Sequence, residues 1–225
     1  MAIMSEERTP GFAVTFLLYE TSVCWQFDNV ITAYNFLRKN MKGDIFRSTR
    51  IRLCAPRIGD EKHVSAWYDD AFYLRNVDTE PAYPQSEEKI EKEKKGTGDA
   101  FYFHVRTLDD DRLIGFATLH SLEWNNQLAT LAIGIGNEKD RGQGFGDEAL
   151  KLIMRYAFME LNLFRLSLEV IAYNNNAINL YLRNGFIKEG VIRKAVYRDN
   201  QRHDRIVMGV LRPDWLNENS SEPAT

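Results

Sequence analysis

The sequence predicts an α/β protein of the α+β type, with a central mixed, mostly antiparallel sheet and helices on both faces. An apolar, partly β-branched run over 129–135 predicts a buried strand, and a glycine-rich turn joins it to an amphipathic helix. Alternating apolar and polar residues over 165–170 then predict a half-buried strand. Two polar turns, at 109–111 and 199–201, each separate strand-like segments and predict β-hairpins.

The first elements follow from the same periodicities. Residues 50–53 alternate in polarity and predict a strand. Apolar residues on one face predict a helix over 59–70. A third element is a charged helix that Ser86 would cap and Gly96 would end, and its charges are typical of a solvated face.

The remaining elements complete the sheet. Strands over 100–106 and 113–120 form the first hairpin, whose three aspartates are typical of a polar turn, so no metal is predicted. The helix after the glycine turn carries one apolar stripe, and the second hairpin ends near Leu211. The stripe consists of Leu150, Ile153, Met154, Ala157, Phe158 and Leu161.

Composition excludes several classes of protein. The 225 residues are 44% hydrophobic and 27% charged, which are ordinary values for one globular domain. A net charge of −3 argues against a broad basic face for nucleic acid. Only Cys24 and Cys54 are present, so a reducing compartment, the cytoplasm, is the simpler prediction. The apolar run near the N-terminus is too short for a membrane span.

Three segments are predicted along the chain. Residues 1–40 form an N-terminal extension, or else sequence upstream of a start at Met41. The main domain is predicted over 47–216. The polar residues 217–225 are predicted to be a disordered tail.

The segment from Arg141 to Gly146 predicts a phosphate cradle, the alternative from these six residues alone being an ordinary flexible turn between strand and helix. Glycines between a strand and a helix let backbone N–H groups and the positive end of the helix dipole meet an anion closely. A P-loop is excluded, because Asp147 and Glu148 stand where lysine and a hydroxyl residue are needed. A dinucleotide fingerprint is also excluded, since its third glycine is missing.

Two motifs resemble those of the GCN5-related N-acetyltransferases (the GNAT superfamily). Arg141, Gly144 and Gly146 match the pattern (Gln/Arg)-x-x-Gly-x-(Gly/Ala). The segment 174–186 is similar to the family's Asn-x-x-Ala and Leu-Tyr motif followed by Gly-Phe. The C-terminal part, from 189 on, is similar to the branch that acetylates ribosomal-protein N-termini and to its spermidine-acetylating relatives. The resemblance implies a GNAT fold.

The resemblance also implies acetyl-coenzyme A (acetyl-CoA) as co-substrate. Backbone N–H groups over 141–146 would bind its pyrophosphate, Arg141 would add positive charge, and Lys139 is within reach. Backbone groups over 133–135 would pair with the pantetheine arm. Asn174 would contact the cofactor, cap a helix, or do both. The cofactor-binding residues so predicted are Ile133, Gly134, Ile135, Arg141, Gly142, Gln143, Gly144, Phe145, Gly146 and Asn174.

Two catalytic residues are predicted. Tyr181 matches the family's tyrosine that protonates the departing sulfur, the alternative being a core tyrosine. Relatives often carry a glutamate base where this chain has Thr130. The threonine hydroxyl cannot serve as a base at neutral pH. Glu123 is the predicted replacement, and His120 is a weaker candidate. An amine that arrives neutral would need no base.

The predicted function is N-acetyl transfer to a primary amine, with a protein N-terminal α-amine slightly favoured. Polyamine acetylation is the first alternative, for which Glu80, Glu87 and Glu88 are candidate acceptor-site residues. A non-catalytic acyl-CoA-binding module is the second. A homodimer is plausible from the family, although no residue pattern specifies its interface.

Overall fold

The computed structural model describes residues 44–94 and 100–220, so the predicted extension over 1–40 lies outside the described residues. A 3-10 turn (Glu138–Asp140) and a π turn (Tyr156–Glu160) flank the helix that follows the glycine turn. In chain order the elements are β1 (Ile51–Cys54), α1 (Glu61–Tyr68), α2 (Ala71–Val77), α3 (Glu87–Lys94), β2 (Phe101–Thr107), β3 (Leu113–Glu123), β4 (Leu128–Ile135), α4 (Phe145–Arg155), β5 (Arg165–Ile171), α5 (Asn175–Arg183), β6 (Ile187–Arg198), β7 (Gln201–Leu211) and α6 (Arg212–Ser220).

The strands form one seven-stranded sheet in the order β1-β2-β3-β4-β5-β7-β6. Every neighbouring pair is antiparallel except β4 and β5, which run parallel. The predicted mixed, mostly antiparallel sheet and both predicted hairpins are therefore confirmed.

The parallel pair separates along its length. β4 and β5 are paired only over Leu128–Thr130 and Arg165–Ser167, although β4 continues to Ile135 and β5 to Ile171. Beyond Thr130 the edge of β4 that faces β5 has no strand partner in the described sheet, while its other edge stays paired to β3. The sheet therefore opens at its centre.

Helices cover both faces. Helix α4 buries its apolar stripe, including Leu150 and Ile153 at 0% exposure, in the larger core cluster. Helices α1 to α3 supply a second cluster around Trp67 and Tyr73, which also contacts Phe116 of β3. Among the described helices, none has the length and apolar character needed to cross a membrane.

The helix predicted over 59–70 is confirmed as α1, which spans Glu61–Tyr68. A second helix that was not predicted, α2, begins directly after Asp70. Asp70 caps it, because the Asp70 carboxylate accepts a hydrogen bond from the backbone N–H of Tyr73 at 3.1 Å. The sequence-based prediction missed α2, and this short helix lines the functional cleft described below.

Two helix ends also differ from the prediction. The apolar stripe was predicted to run through Leu161 on one helix. The α-helix ends at Arg155, and the π turn follows it. The tail predicted to be disordered from residue 217 is helical as far as Ser220, and the rest of it lies outside the described residues. Trp215 anchors this last helix, because it is 7% exposed and packs against Phe158 at 5.3 Å between ring centroids.

Candidate active site

Two connected clefts open where β4 and β5 separate. The larger, of about 1160 Å³, runs from the cradle past Ile133 to the start of α5. The smaller, of about 450 Å³, is lined by residues on either side of the last β4–β5 pair, including Thr130 and Ser167. Tyr181 and Asn174 line both clefts, so the two meet at these side chains.

The phosphate cradle, residues 141–146, keeps a row of donors available. Gly142 and Gly144 have φ values of 72° and 85°, a left-handed conformation that favours glycine. Helix α4 starts at this point without a side-chain cap. In the described part of the chain the backbone N–H groups of 142–146 donate no hydrogen bond. Unengaged amides at a helix N-terminus form a site for an anion.

Arg141 lines the large cleft, but its guanidinium is already engaged by other groups, and its contact with a bound phosphate stays a prediction. Its guanidinium donates to the Asp70 carboxylate at 2.6 Å, to the Ile135 carbonyl at 3.1 Å and to the Gly136 carbonyl. A planar guanidinium suits this fork of acceptors. Arg141 therefore ties the cradle to the start of α2.

The other side chains at or beside the cradle make local contacts or are exposed. The Gln143 amide donates to the Lys139 carbonyl, and Lys139 itself is exposed and lines neither cleft. Phe145 is 9% exposed, with the Arg50 guanidinium 4.7 Å from the centre of its ring. The cradle therefore offers mainly backbone donors.

The open edge of β4 lines the large cleft through Ile133, Gly134 and Ile135, and their contact with a cofactor stays a prediction. Gly134 is required by packing, because a Cβ there would lie 2.5 Å from the Phe116 ring and 3.0 Å from the Tyr73 hydroxyl. The free edge presents backbone donors and acceptors to the cleft, which suits an extended ligand that carries amides.

Asn174 caps α5, as predicted. Its side-chain oxygen accepts from the Ala177 N–H at 3.1 Å, and its amide donates to the Asn76 carbonyl at 3.2 Å. The residue thus joins α5 to the end of α2 at the wall of the cleft. Its contact with a cofactor stays a prediction.

Tyr181 lies at the junction of the two clefts. It is 7% exposed and packs on Phe186 at 5.5 Å, and the hydrogen bonds found among the described residues leave its hydroxyl unengaged. Burial raises the pKa of Tyr181 to about 12, so the hydroxyl keeps its proton at neutral pH. A protonated phenol here can act as an acid.

The structure does not support Glu123 as a base. Its carboxylate accepts from the Asn126 amide at 2.5 Å in the exposed β3–β4 turn, and it lines neither cleft. The acidic residues Glu80, Glu87 and Glu88 also lie outside both clefts. His120, the weaker candidate, lines the small cleft together with Thr130.

Several lining residues escaped sequence analysis. They come from α2 and from the β6–β7 turn: Arg75 pairs with Asp199, and Arg198 donates to the Thr79 and Glu80 carbonyls at 2.9 and 2.7 Å. The Tyr173 hydroxyl donates to the Arg75 carbonyl. An aspartate cap at position 70 was the one signal in the sequence that could have revealed α2. Within the described residues no cluster of three or more metal-ligating side chains occurs.

Comparison with known proteins assigns the family. The family model for the acetyltransferase (GNAT) domain matches residues 50–187. The probable N-acetyltransferase YjcK of Bacillus subtilis is 34% identical over 129 residues, which cover 57% of this chain and 68% of that protein. This chain belongs to the GNAT acetyltransferases, as the two motifs predicted.

The names of individual relatives state different acceptors. The putative ribosomal N-acetyltransferase YdaF of Bacillus subtilis is 26% identical over 167 residues, covering 74% of this chain and 88% of that protein. Spermidine N(1)-acetyltransferase of Escherichia coli K12 is 33% identical over 85 residues, covering 38% and 46%. The spermidine N-acetyltransferase of Vibrio cholerae, solved with CoA and spermine, matches with a TM-score of 0.68 and 23% identity over 76% of this chain and 100% of that one. This last match confirms the GNAT fold.

Proposed function

We propose that this protein transfers an acetyl group from acetyl-CoA, held in the large cleft, to a primary amine, and that its preferred acceptor is a protein N-terminal α-amine. The observation that carries the proposal is a pairing of two features of one cleft. Unengaged backbone N–H groups over 142–146 lie toward one end, and the protonated Tyr181 lies at the junction with the second cleft.

The residues of the large cleft fit the co-substrate part by part. The cradle supplies donors and a helix N-terminus for the pyrophosphate. The unpaired edge of β4 over 133–135 supplies backbone partners for the amides of the pantetheine arm. A cleft of about 1160 Å³ is also large enough for a cofactor of this size.

In the proposed reaction, Tyr181 is the residue of this chain that transfers a proton to the leaving group. The amine nitrogen attacks the thioester carbonyl carbon, the C–S bond breaks, and the departing sulfur takes the proton of the Tyr181 hydroxyl. The raised pKa of Tyr181 suits this role, because the hydroxyl is protonated before the step and the departing thiolate is a base. The tyrosinate then recovers a proton from the nitrogen that becomes the amide.

The α-amine is preferred for reasons of charge. A free α-amine has a pKa of about 8 and is partly neutral at pH 7, whereas a lysine-type amine has a pKa of about 10.4. A polyamine carries several positive charges, yet in the small cleft Glu169 is already paired with Arg205 at 2.9 Å. Asp78 is the one further carboxylate on that lining. With one carboxylate beyond the Glu169–Arg205 pair, the small cleft suits an acceptor with a single positive charge.

Polyamine acetylation is the second candidate. The names of the Escherichia coli and Vibrio cholerae relatives favour it, and Asp78 offers one cation-binding group. The two candidates differ in where the acceptor's additional positive charges would lie.

A CoA-release assay tests both candidates. Purified protein is given acetyl-CoA with N-terminal peptides, spermidine, spermine or simple monoamines, and free thiol is followed. Peptide-selective turnover supports the proposal, and polyamine-selective turnover promotes the second candidate. Tight acetyl-CoA binding, measured by calorimetry, without turnover on any amine would instead indicate a non-catalytic acyl-CoA-binding module.

A further inference from the structure

We infer that His120 accepts the proton that the acceptor amine loses, as a catalytic base that lines the small cleft together with Tyr181. The inference rests on the proposed function. It names a residue for the general base, to which the proposed reaction assigns no residue.

The strand register places His120 at the point where the sheet opens. His120 of β3 lies directly opposite Thr130 of β4, and Thr130 is the last β4 residue paired to β5. Directly opposite residues of an antiparallel pair point to the same face. Both side chains accordingly line the small cleft, which Tyr181 reaches from α5.

A backbone irregularity follows His120 at once. The β3–β4 register shifts between His120 and Glu123, and Ser121 has a φ of 50°, which is unusual for a residue with a side chain. Bulges redirect side chains and recur beside active sites. The Ser121 hydroxyl lies 3.1 Å from His120 Nδ1, so it can fix the imidazole through that nitrogen. In the tautomer whose Nδ1–H donates to the Ser121 hydroxyl, Nε2 is the nitrogen that accepts a proton.

The surroundings keep the imidazole neutral. His120 is half-buried, and this burial lowers its pKa from the ordinary value of 6.5. The other titratable or charged groups on the same cleft are Asp78, Glu169 paired with Arg205, and the protonated Tyr181. A neutral imidazole at pH 7 can accept a proton, whereas the Thr130 hydroxyl beside it cannot.

His120, Tyr181 and solvent account for every proton that moves in the reaction. The ammonium form of the acceptor gives one proton to His120, and the neutral nitrogen then forms the C–N bond while the C–S bond breaks. Tyr181 gives its proton to sulfur and recovers one from the new amide nitrogen. His120 releases its proton to solvent, so each turnover yields one amide, one thiol and one proton.

The test is the variant His120→Gln, compared with the wild-type protein and with the control His63→Gln, whose histidine is exposed on α1. General-base catalysis is worth roughly 10²-fold or more. We expect kcat to fall about 100-fold for a lysine-type amine and less for an α-amine, which is already partly neutral. The wild-type rise of kcat with pH at and below about 6.5 should disappear in the variant. Unchanged kcat and an unchanged pH profile would overturn the inference.

A second variant separates catalysis from structure. His120→Gln combined with Thr130→Glu places a carboxylate on the opposite position of the same face. Recovery of at least about 10-fold in kcat supports a base at this site. If the wild-type protein acetylates no amine, the proposed function fails. If it acetylates amines and His120→Gln matches it, only the inference fails.

Discussion

The two walls of the large cleft are built in different ways. The cradle wall consists of β4, the cradle and the start of α4, which are consecutive in the chain. The α2–hairpin wall consists of α2 and the β6–β7 turn, where Arg75 meets Asp199 across 124 positions of sequence. One wall is thus specified locally, and the other depends on distant partners. We expect variants in the locally built wall and at the cleft junction to change chemistry and binding most, and variants in the second wall to have smaller effects.

The largest effect is expected at the junction. Tyr181→Phe keeps the ring that packs on Phe186 and removes only the hydroxyl. Because the departing sulfur then lacks its acid, we expect kcat to fall by about 10²-fold, with the affinity for acetyl-CoA unchanged. Steady-state kinetics and calorimetry measure these two quantities. Tyr197→Phe is the control, since Tyr197 is exposed on β6. Equal kcat in the two variants would remove Tyr181 from the mechanism.

A smaller effect is expected in the cradle. A Cβ at Gly146 would meet only Leu180 and Ile135, at 3.7 and 3.9 Å, so a side chain fits there without backbone strain. Both neighbours line the large cleft, and the branches of valine would extend into the space for the ligand. We expect Gly146→Val to weaken acetyl-CoA binding about 10-fold, which corresponds to about 1.4 kcal/mol.

Calorimetry with acetyl-CoA measures the effect of Gly146→Val. Gly190→Val on β6 is the matched control, because a Cβ there meets nothing within 4 Å. If Gly146→Val bound acetyl-CoA as tightly as the control, the phosphates would have to lie outside the cradle.

The same contrast explains what the sequence could predict. The β4 strand, the glycine turn before α4 and the Asn174 cap follow from residues close together in the chain, and the structure confirms these three structural features. The ion pair of Arg141 could not be predicted, because Asp70, its partner at 2.6 Å, lies 71 positions away. The assignment of Glu123 failed because the register shift after His120 cannot be read from alternation alone.

The contacts of Arg141, which tie the cradle wall to α2, should affect the stability of the fold more than the rate of the reaction. Arg141 holds the Asp70 carboxylate and two backbone carbonyls with a side chain that is 22% exposed. Arg141→Met keeps the length of the side chain and leaves these acceptors without their donor. We expect the free energy of unfolding to fall by about 1–2 kcal/mol, a range that allows for partial exposure.

Urea denaturation measures this loss, and a double-mutant cycle with Asp70→Asn isolates the ion pair. Asp70→Asn keeps an oxygen for the cap on Tyr73, so it should cost less than Arg141→Met. Additive effects of the two substitutions would show that the contact contributes nothing, and Arg141 would then return as a candidate for direct phosphate binding.

The smallest effect is expected in the α2–hairpin wall. Arg75 and Asp199 form an ion pair with side chains 34% and 75% exposed, and the neighbouring Arg75 guanidinium lowers the pKa of Asp199 through a hydrogen bond. Asp199 has a φ of 49°, a conformation that asparagine also tolerates, so Asp199→Asn removes the charge and keeps the turn. Because exposed pairs are screened by salt, we expect acetyl-CoA to bind about 2-fold more weakly at low ionic strength and equally well in about 0.5 M salt. Calorimetry at the two salt concentrations tests this, with Asp109→Asn in the other hairpin as control. A loss that persists in high salt would contradict the prediction, because it would show that Asp199 acts through something other than a charge that salt screens.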